Sequence, residues 1–180
     1  MPEKLDFLTP TTLKLLEYFI IHSMEEFHER EIVRNVKISK GSANKILRHL
    51  AELSLLLRQK KGRMVFYRLN TGDPSVRQLK IMRNVWNLRK FVDLTKDRAQ
   101  MIILFGSCAE GTDVRESDID IFILTGEKKI AREHVSRLNE KNDREISPII
   151  LDANEFSTLK REDEPLYERI DRGIILWQKD

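Results

Sequence analysis

The sequence predicts an α+β fold with three parts. They are a helical N-terminal region closed by a hairpin, a long helix, and a small mixed β-sheet with helices packed on it. Three observations carry this. Residues 101–105 (MIILF) and 119–124 (IDIFIL) are short, near-continuous apolar runs, interrupted only by Asp120, the pattern of strands buried on both faces. Apolar residues recur at helical spacing through most of residues 10–94. Charge divides along the chain: residues 1–98 hold 20 Lys+Arg against 11 Asp+Glu, whereas 99–180 hold 12 against 18, behind an overall balance of +3. A basic half joined to an acidic half implies two domains with different partners.

A length of 180 residues suits one large or two small domains, and 41% hydrophobic content is enough for packed cores. No run of 18 apolar residues exists, and the N-terminus lacks a signal-peptide pattern, so neither a membrane span nor a membrane partner is expected. The single cysteine, Cys108, cannot form an internal disulfide, which favours a reducing, cytoplasmic setting.

Thr9-Pro10 is a helix start, a Thr cap with proline at the first helical position. Leu13, Leu16, Phe19 and Ile20 give that helix its apolar face, and residues 23–27 read as a break. A second helix covers about 28–36, with Ile32, Val33 and Val36 inward. Ser39 caps a third over 40–53, whose apolar stripe is Ala43, Ile46, Leu47, Leu50 and Leu53. Its other face shows Lys40, Ser42, Asn44, Lys45, Arg48 and His49. Two strand-like runs then flank Lys61-Gly62-Arg63 as a hairpin.

Three helices followed by a basic hairpin resemble a winged helix-turn-helix. The resemblance makes the third helix the recognition helix and the hairpin the wing. Between residues 40 and 68 there are eight Lys+Arg and one acid, Glu52. Positive charge thus falls on the two elements that would meet duplex DNA, through Lys40, Ser42, Asn44, Lys45, Arg48, Lys60, Lys61 and Arg63. A protein-docking module is the other role open to such a domain.

Thr71-Gly72-Asp73-Pro74 ends this region. A helix over about 74–94 follows, with Val76, Leu79, Met82, Val85, Trp86, Leu88, Phe91 and Val92 on its apolar face. Arg77, Lys80, Arg83, Arg89 and Lys90 form a basic face. It could join two domains or pair with itself in a homodimer. The domains are therefore drawn at 1–73 and 98–180, with a linker helix over 74–97. Beyond the two apolar strands come a helix over 127–139, a strand over 145–151 whose Pro148 belongs at a sheet edge or bulge, two further helices and a last strand over 173–177.

The chemistry concentrates between the two apolar strands. Gly106 and Ser107 leave the first strand, Gly111 follows after three residues, and Ser117, Asp118 and Asp120 open the second. A small glycine loop leaves backbone N–H groups uncovered, and such groups cradle phosphate. Residues two apart on a strand share a face, so Asp118 and Asp120 point the same way, about 6.6 Å apart along the chain. Paired carboxylates at that spacing suit one or two Mg²⁺ ions, because hard cations take oxygen ligands. The combination describes a site for a magnesium-bound nucleoside triphosphate.

This spacing resembles the signature of the polymerase-beta-type nucleotidyltransferases, above all their small stand-alone members, over residues of about 99–178. The resemblance implies that Gly106, Ser107, Gly111, Arg115 and Ser117 bind nucleotide. It implies that Asp118 and Asp120 bind Mg²⁺, one ion or two, and that a nucleoside monophosphate passes from an NTP to an acceptor hydroxyl. This chain departs from the family pattern twice. Ser147 stands where a third carboxylate is usual, leaving Glu145, two residues earlier, as its replacement in catalysis. Glu110 stands where a basic residue often precedes the second glycine, with Arg115 the nearest substitute. Three functions remain in view: a nucleotidyltransferase with a nucleic-acid-binding module, a DNA-binding regulator whose nucleotidyltransferase-like domain senses nucleotide with weak or absent turnover, and an antitoxin-like partner protein.

Overall fold

The computed structural model describes residues 5–140 and 144–179. Its chain divides into two compact units, Met1–Arg77 and Gln78–Asp180. Among the described residues no helix is long and apolar enough to cross a membrane.

The first unit holds helices α1 (Pro10–Ile21), α2 (Glu29–Val36) and α3 (Lys40–Glu52) and strands β1 (Glu26–His28), β2 (Leu56–Lys61) and β3 (Met64–Leu69). Thr9 caps α1 as its sequence implies, accepting from Thr12 N, and Ser39 caps α3 by accepting from Ser42 N. On α1 the inward residues are Leu15, Leu16 and Phe19, whereas Leu13 is exposed. The expected break after α1 contains a short strand: β1 pairs with β3, Phe27 opposite Tyr67, giving an antiparallel sheet in the order β1-β3-β2. The hairpin forms where expected, turning at Gly62 with φ 61°. Tyr67 enters the core and Phe66 lies half-buried.

The second unit is a four-stranded mixed sheet between two helical layers. Strands β4 (Met101–Leu104), β5 (Ile119–Leu124), β6 (Ile146–Leu151) and β7 (Ile174–Gln178) lie in the order β6-β5-β4-β7. The β4–β5 and β4–β7 pairs are antiparallel, while β5–β6 is parallel. The long helix expected over 74–94 is two helices, α4 (Pro74–Asn87) and α5 (Arg89–Thr95). They part at Leu88, whose amide lies 3.3 Å from both Asn84 O and Val85 O. Two members of the expected apolar stripe, Met82 and Trp86, are exposed. Lys80, expected on the basic face, is instead buried at 3% exposure.

Leu88, Phe91, Ile102, Leu104, Ile121, Ile123, Val135 and Ile150 form the core on one face of this sheet, beneath α5 and α7 (Lys128–Asn139). On the other face Ile103, Phe105, Phe122 and Leu124 pack against Leu159 of α8 (Ala153–Glu162) and Ile170 of α9 (Glu164–Asp171). Burial on both faces explains why β4, and β5 from Ile121 onward, are unbroken apolar runs. Pro148 sits on β6, an edge strand, where a missing N–H leaves no ladder bond unmade.

Candidate functional site

Strand β5 alternates its side chains. Ile121 and Ile123 face one core, and Phe122 and Leu124 the other. Extending the alternation back from Phe122 puts Asp120 and then Asp118 on the face covered by α8 and α9. Both lie at the end of the sheet where the chain leaves β4. Asp118 is exposed and Asp120 half-buried. Burial raises the Asp120 pKa above the ordinary carboxylate range; Arg169 opposes that rise and Asp118 adds to it.

The loop expected between β4 and β5 opens instead with one helical segment, α6 (Gly106–Glu110). Gly106 begins it with φ 66°, a conformation glycine adopts without strain. A Cβ there would press into Asp120 Oδ2, with Asp120 Cγ only 3.2 Å away. The backbone conformation thus calls for glycine, and any side chain there would also have to displace the Asp120 carboxylate, which packs on the turn leaving β4. Gly111, φ 69°, ends α6, and Ser107 O receives the amides of Thr112 (3.0 Å) and Asp113 (3.3 Å). The side chain of Ser117 closes the following turn by accepting from Val114 N at 2.9 Å. Arg115 and Glu110 are exposed.

Register decides the third position. In the parallel β5–β6 pair Asp120 stands opposite Ser147, and directly paired residues share a face. A hydroxyl therefore neighbours Asp120. Glu145 lies just before β6, exposed, and its carbonyl accepts from Ile119 N at 2.8 Å. It falls on the same face as Ser147, one step toward Asp118.

The structure adds residues that no motif marks. Arg169 of α9 brings its guanidinium to 3.9 Å from Asp120 Oδ2 and lies over the Phe105 ring, 5.5 Å from its centroid. Beneath the loop, a buried polar cluster centres on Asp113. Lys80 donates to Asp113 O and lies 3.6 Å from Oδ1. Asn84 donates to Asp113 Oδ1 and to Cys108 O, both at 3.1 Å. Arg144 reaches Asp113 Oδ2 (2.9 Å), Ser117 O (2.8 Å) and Cys108 Sγ (3.0 Å). Burial pulls the Lys80 pKa down against the pull of Asp113, and burial raises that of the Cys108 thiol. The cluster ties α6, the loop after it and the start of β5 into one piece. Its only sequence signal is an isolated set of charges, which reads as solvated surface.

Asp118, Asp120 and Ser147 all carry oxygen donors, the ligand type that a hard cation such as Mg²⁺ takes. Among the described residues no three His, Cys, Asp or Glu side chains converge.

In the first unit Lys40, Ser42, Lys45, Arg48, Lys60, Lys61 and Arg63 are exposed. Asn44 is half-buried and donates to Glu29 Oε2 at 2.9 Å. Ser42 belongs to the α3 cap, and Lys61 pairs with Glu26.

Residues 88–180 match the family described as Polymerase beta, Nucleotidyltransferase. No curated protein matches the chain. Among solved structures, a toxin-antitoxin crystallised with AMP-PNP is 30% identical, over 52% of this chain and 75% of that one, at a TM-score of 0.40. A mutant of the toxin-antitoxin MntA-HpeT is 30% identical over 51% and 73%, at 0.37. NadR in complex with 4-hydroxyphenylacetate is 15% identical over 49% of this chain, at 0.39, and the present chain spans 62% of its length.

Proposed function

Because the chain belongs, through residues 88–180, to the polymerase beta nucleotidyltransferase family, we propose that it is a nucleic-acid-binding regulator whose second unit holds a magnesium-bound nucleoside triphosphate with little or no turnover. The observation that carries this reading is the β5–β6 register, which sets Ser147 rather than a carboxylate beside Asp120. On this reading Asp118 and Asp120 hold the ion, and Gly106, Ser107 and Gly111 shape the turn that receives phosphate. Arg115, exposed on the following loop, is within the same segment, and Ser117 keeps that loop folded. Bound Mg²⁺ supplies charge neutralisation on phosphate oxygens. A hydroxyl is a weak metal ligand and a poor general base, so activation of an acceptor is the function that lapses.

The nucleic-acid half rests on the first unit. It has three helices and a three-stranded antiparallel sheet, the arrangement a winged helix-turn-helix requires. Lys45 and Arg48 are exposed on α3 and Lys60 and Arg63 at the hairpin, which suits a phosphate backbone.

One observation favours an enzyme instead. Glu145 is exposed on the site's face, next in register to Asp118, and as a third carboxylate it would restore transfer of a nucleoside monophosphate to an acceptor hydroxyl. The two readings separate in one experiment. Each NTP is supplied with Mg²⁺, and equilibrium binding and pyrophosphate release are followed together in the wild type, Ser147→Asp and Glu145→Gln. Binding without release in the wild type supports the sensor. Release that Glu145→Gln abolishes establishes the enzyme.

A further inference from the structure

We infer that Arg169 stands in for a second metal ion, so that nucleotide binds this site with one divalent cation and one guanidinium. The inference rests on the nucleotide-binding reading above and deepens it by fixing the ion stoichiometry and adding a phosphate-binding residue.

Two observations converge on Asp120. Its strand neighbour on β6 is Ser147, not a carboxylate, and among the described residues no three His, Cys, Asp or Glu side chains gather at the site, Glu145 included; Asp118 and Asp120 alone are few ligands for two dications. The positive charge that is present comes from Arg169, 3.9 Å from Asp120 Oδ2. The arginine approaches from α9, across the same sheet face on which Asp118 and Asp120 lie. Its side chain is 58% exposed, and its guanidinium lies over Phe105, the residue preceding Gly106. The guanidinium thus lies beside the turn after β4, against a ring and a carboxylate, on a side chain largely open to solvent. A guanidinium has five N–H donors and binds carboxylate and phosphate in the same fork geometry. It can keep its contact with Asp120 and still donate to a phosphate oxygen beside it.

The arrangement also explains why an exposed arginine is placed on a half-buried aspartate. Removing Arg169 would leave Asp120 with Asp118 as its nearest charge, a repulsive pair that binds metal avidly but phosphate poorly.

The test counts ions and measures affinity. Mn²⁺ is titrated into the full-length protein with saturating AMP-PNP and followed by electron paramagnetic resonance, and AMP-PNP affinity is measured calorimetrically. The wild type binds one Mn²⁺ per chain. Arg169→Ala weakens AMP-PNP by about tenfold or more, and Arg169→Lys recovers part of the loss. Because the side chain is exposed, neither change alters the melting temperature. The double variant Ser147→Asp/Arg169→Ala takes up a second Mn²⁺. Two ions in the wild type, or unchanged AMP-PNP affinity in Arg169→Ala, overturns the inference and leaves the nucleotide-binding reading standing. No binding of AMP-PNP by the wild type at any Mn²⁺ concentration overturns both.

Discussion

Asp118, Asp120 and Gly106 make the site a matter of single atoms. If Asp118 and Asp120 hold the ion as proposed, Asp118→Asn and Asp120→Asn are each expected to weaken Mg²⁺-dependent nucleotide binding about tenfold or more, measured calorimetrically. Gly106→Ala acts differently. It forces a side chain into a left-handed conformation, φ 66°, at a cost of about 1–2 kcal/mol, and drives its Cβ into Asp120. Both melting temperature and nucleotide affinity should therefore fall. Gly41→Ala is the contrast: it lies in α3 with nothing within 4 Å of its Cβ. The change is expected to stabilise the protein by about 0.5–1 kcal/mol, read from denaturant unfolding. The aspartate pair and the glycines were legible in the sequence because their spacing is local. Arg169 was not: it is far from Asp120 along the chain, and nothing in an amphipathic helix tells which exposed arginine folds back onto a carboxylate.

At the scale of elements, the loop is held from below and the sheet from its flanks. Asp113→Ala would strand Lys80 and Arg144 beside a missing counter-charge. Lys80 has 4% side-chain exposure and Arg144 15%, so the loss is expected to be about 3–5 kcal/mol. Urea unfolding checks this, and a change under 1 kcal/mol would mean the cluster is not what fixes the loop. Helix α8 gives a pH-dependent case. Asp152 caps it and Glu155 completes the capping box, and Lys128 reaches both carboxylates. Hydrogen bonding from Lys128 is the largest cause holding both pKa values below the ordinary 3.8 and 4.5. A carboxylate depressed in the folded chain contributes stability that is complete above its unfolded pKa and disappears as pH falls through the folded one. Melting temperature should thus hold steady from pH 7 to about 5 and decline in the acid range below it, with a shallower decline in Lys128→Ala. The hairpin and the edge position of Pro148 could be read in advance because turn glycines and strand prolines have fixed meanings. Strand β1 could not, since Glu-Phe-His carries no alternation long enough to register. Nor could the division of α4 from α5 at Leu88, where neither glycine nor proline marks the bend. The burial of Lys80 could not be read either, because helical periodicity sorts it onto the basic face but cannot see the acid of Asp113 packed against it.

At the scale of the whole molecule, the unequal charge of the two halves is the feature that composition alone made visible, and it is the ground for proposing polyanion binding by the first unit. If α3 and the hairpin carry duplex DNA, Lys45→Ala, Arg48→Ala and the Lys60/Lys61/Arg63 triple alanine variant should each weaken it. Each phosphate-contacting cation lost should lower the salt-dependence slope by about one. Unchanged affinity and slope would remove DNA from the account while leaving the second unit's chemistry untouched. The division of labour proposed is a basic unit that docks on nucleic acid and an acidic unit that holds a charged nucleotide, with Ser147 limiting what the second can do to it.

The most direct measurement is equilibrium binding of AMP-PNP to the full-length protein, with and without Mg²⁺, in the wild type and in Asp118→Asn/Asp120→Asn. The account predicts saturable binding that needs the ion and vanishes in the double variant. Absence of binding, or binding that neither magnesium removal nor loss of both aspartates affects, would contradict it.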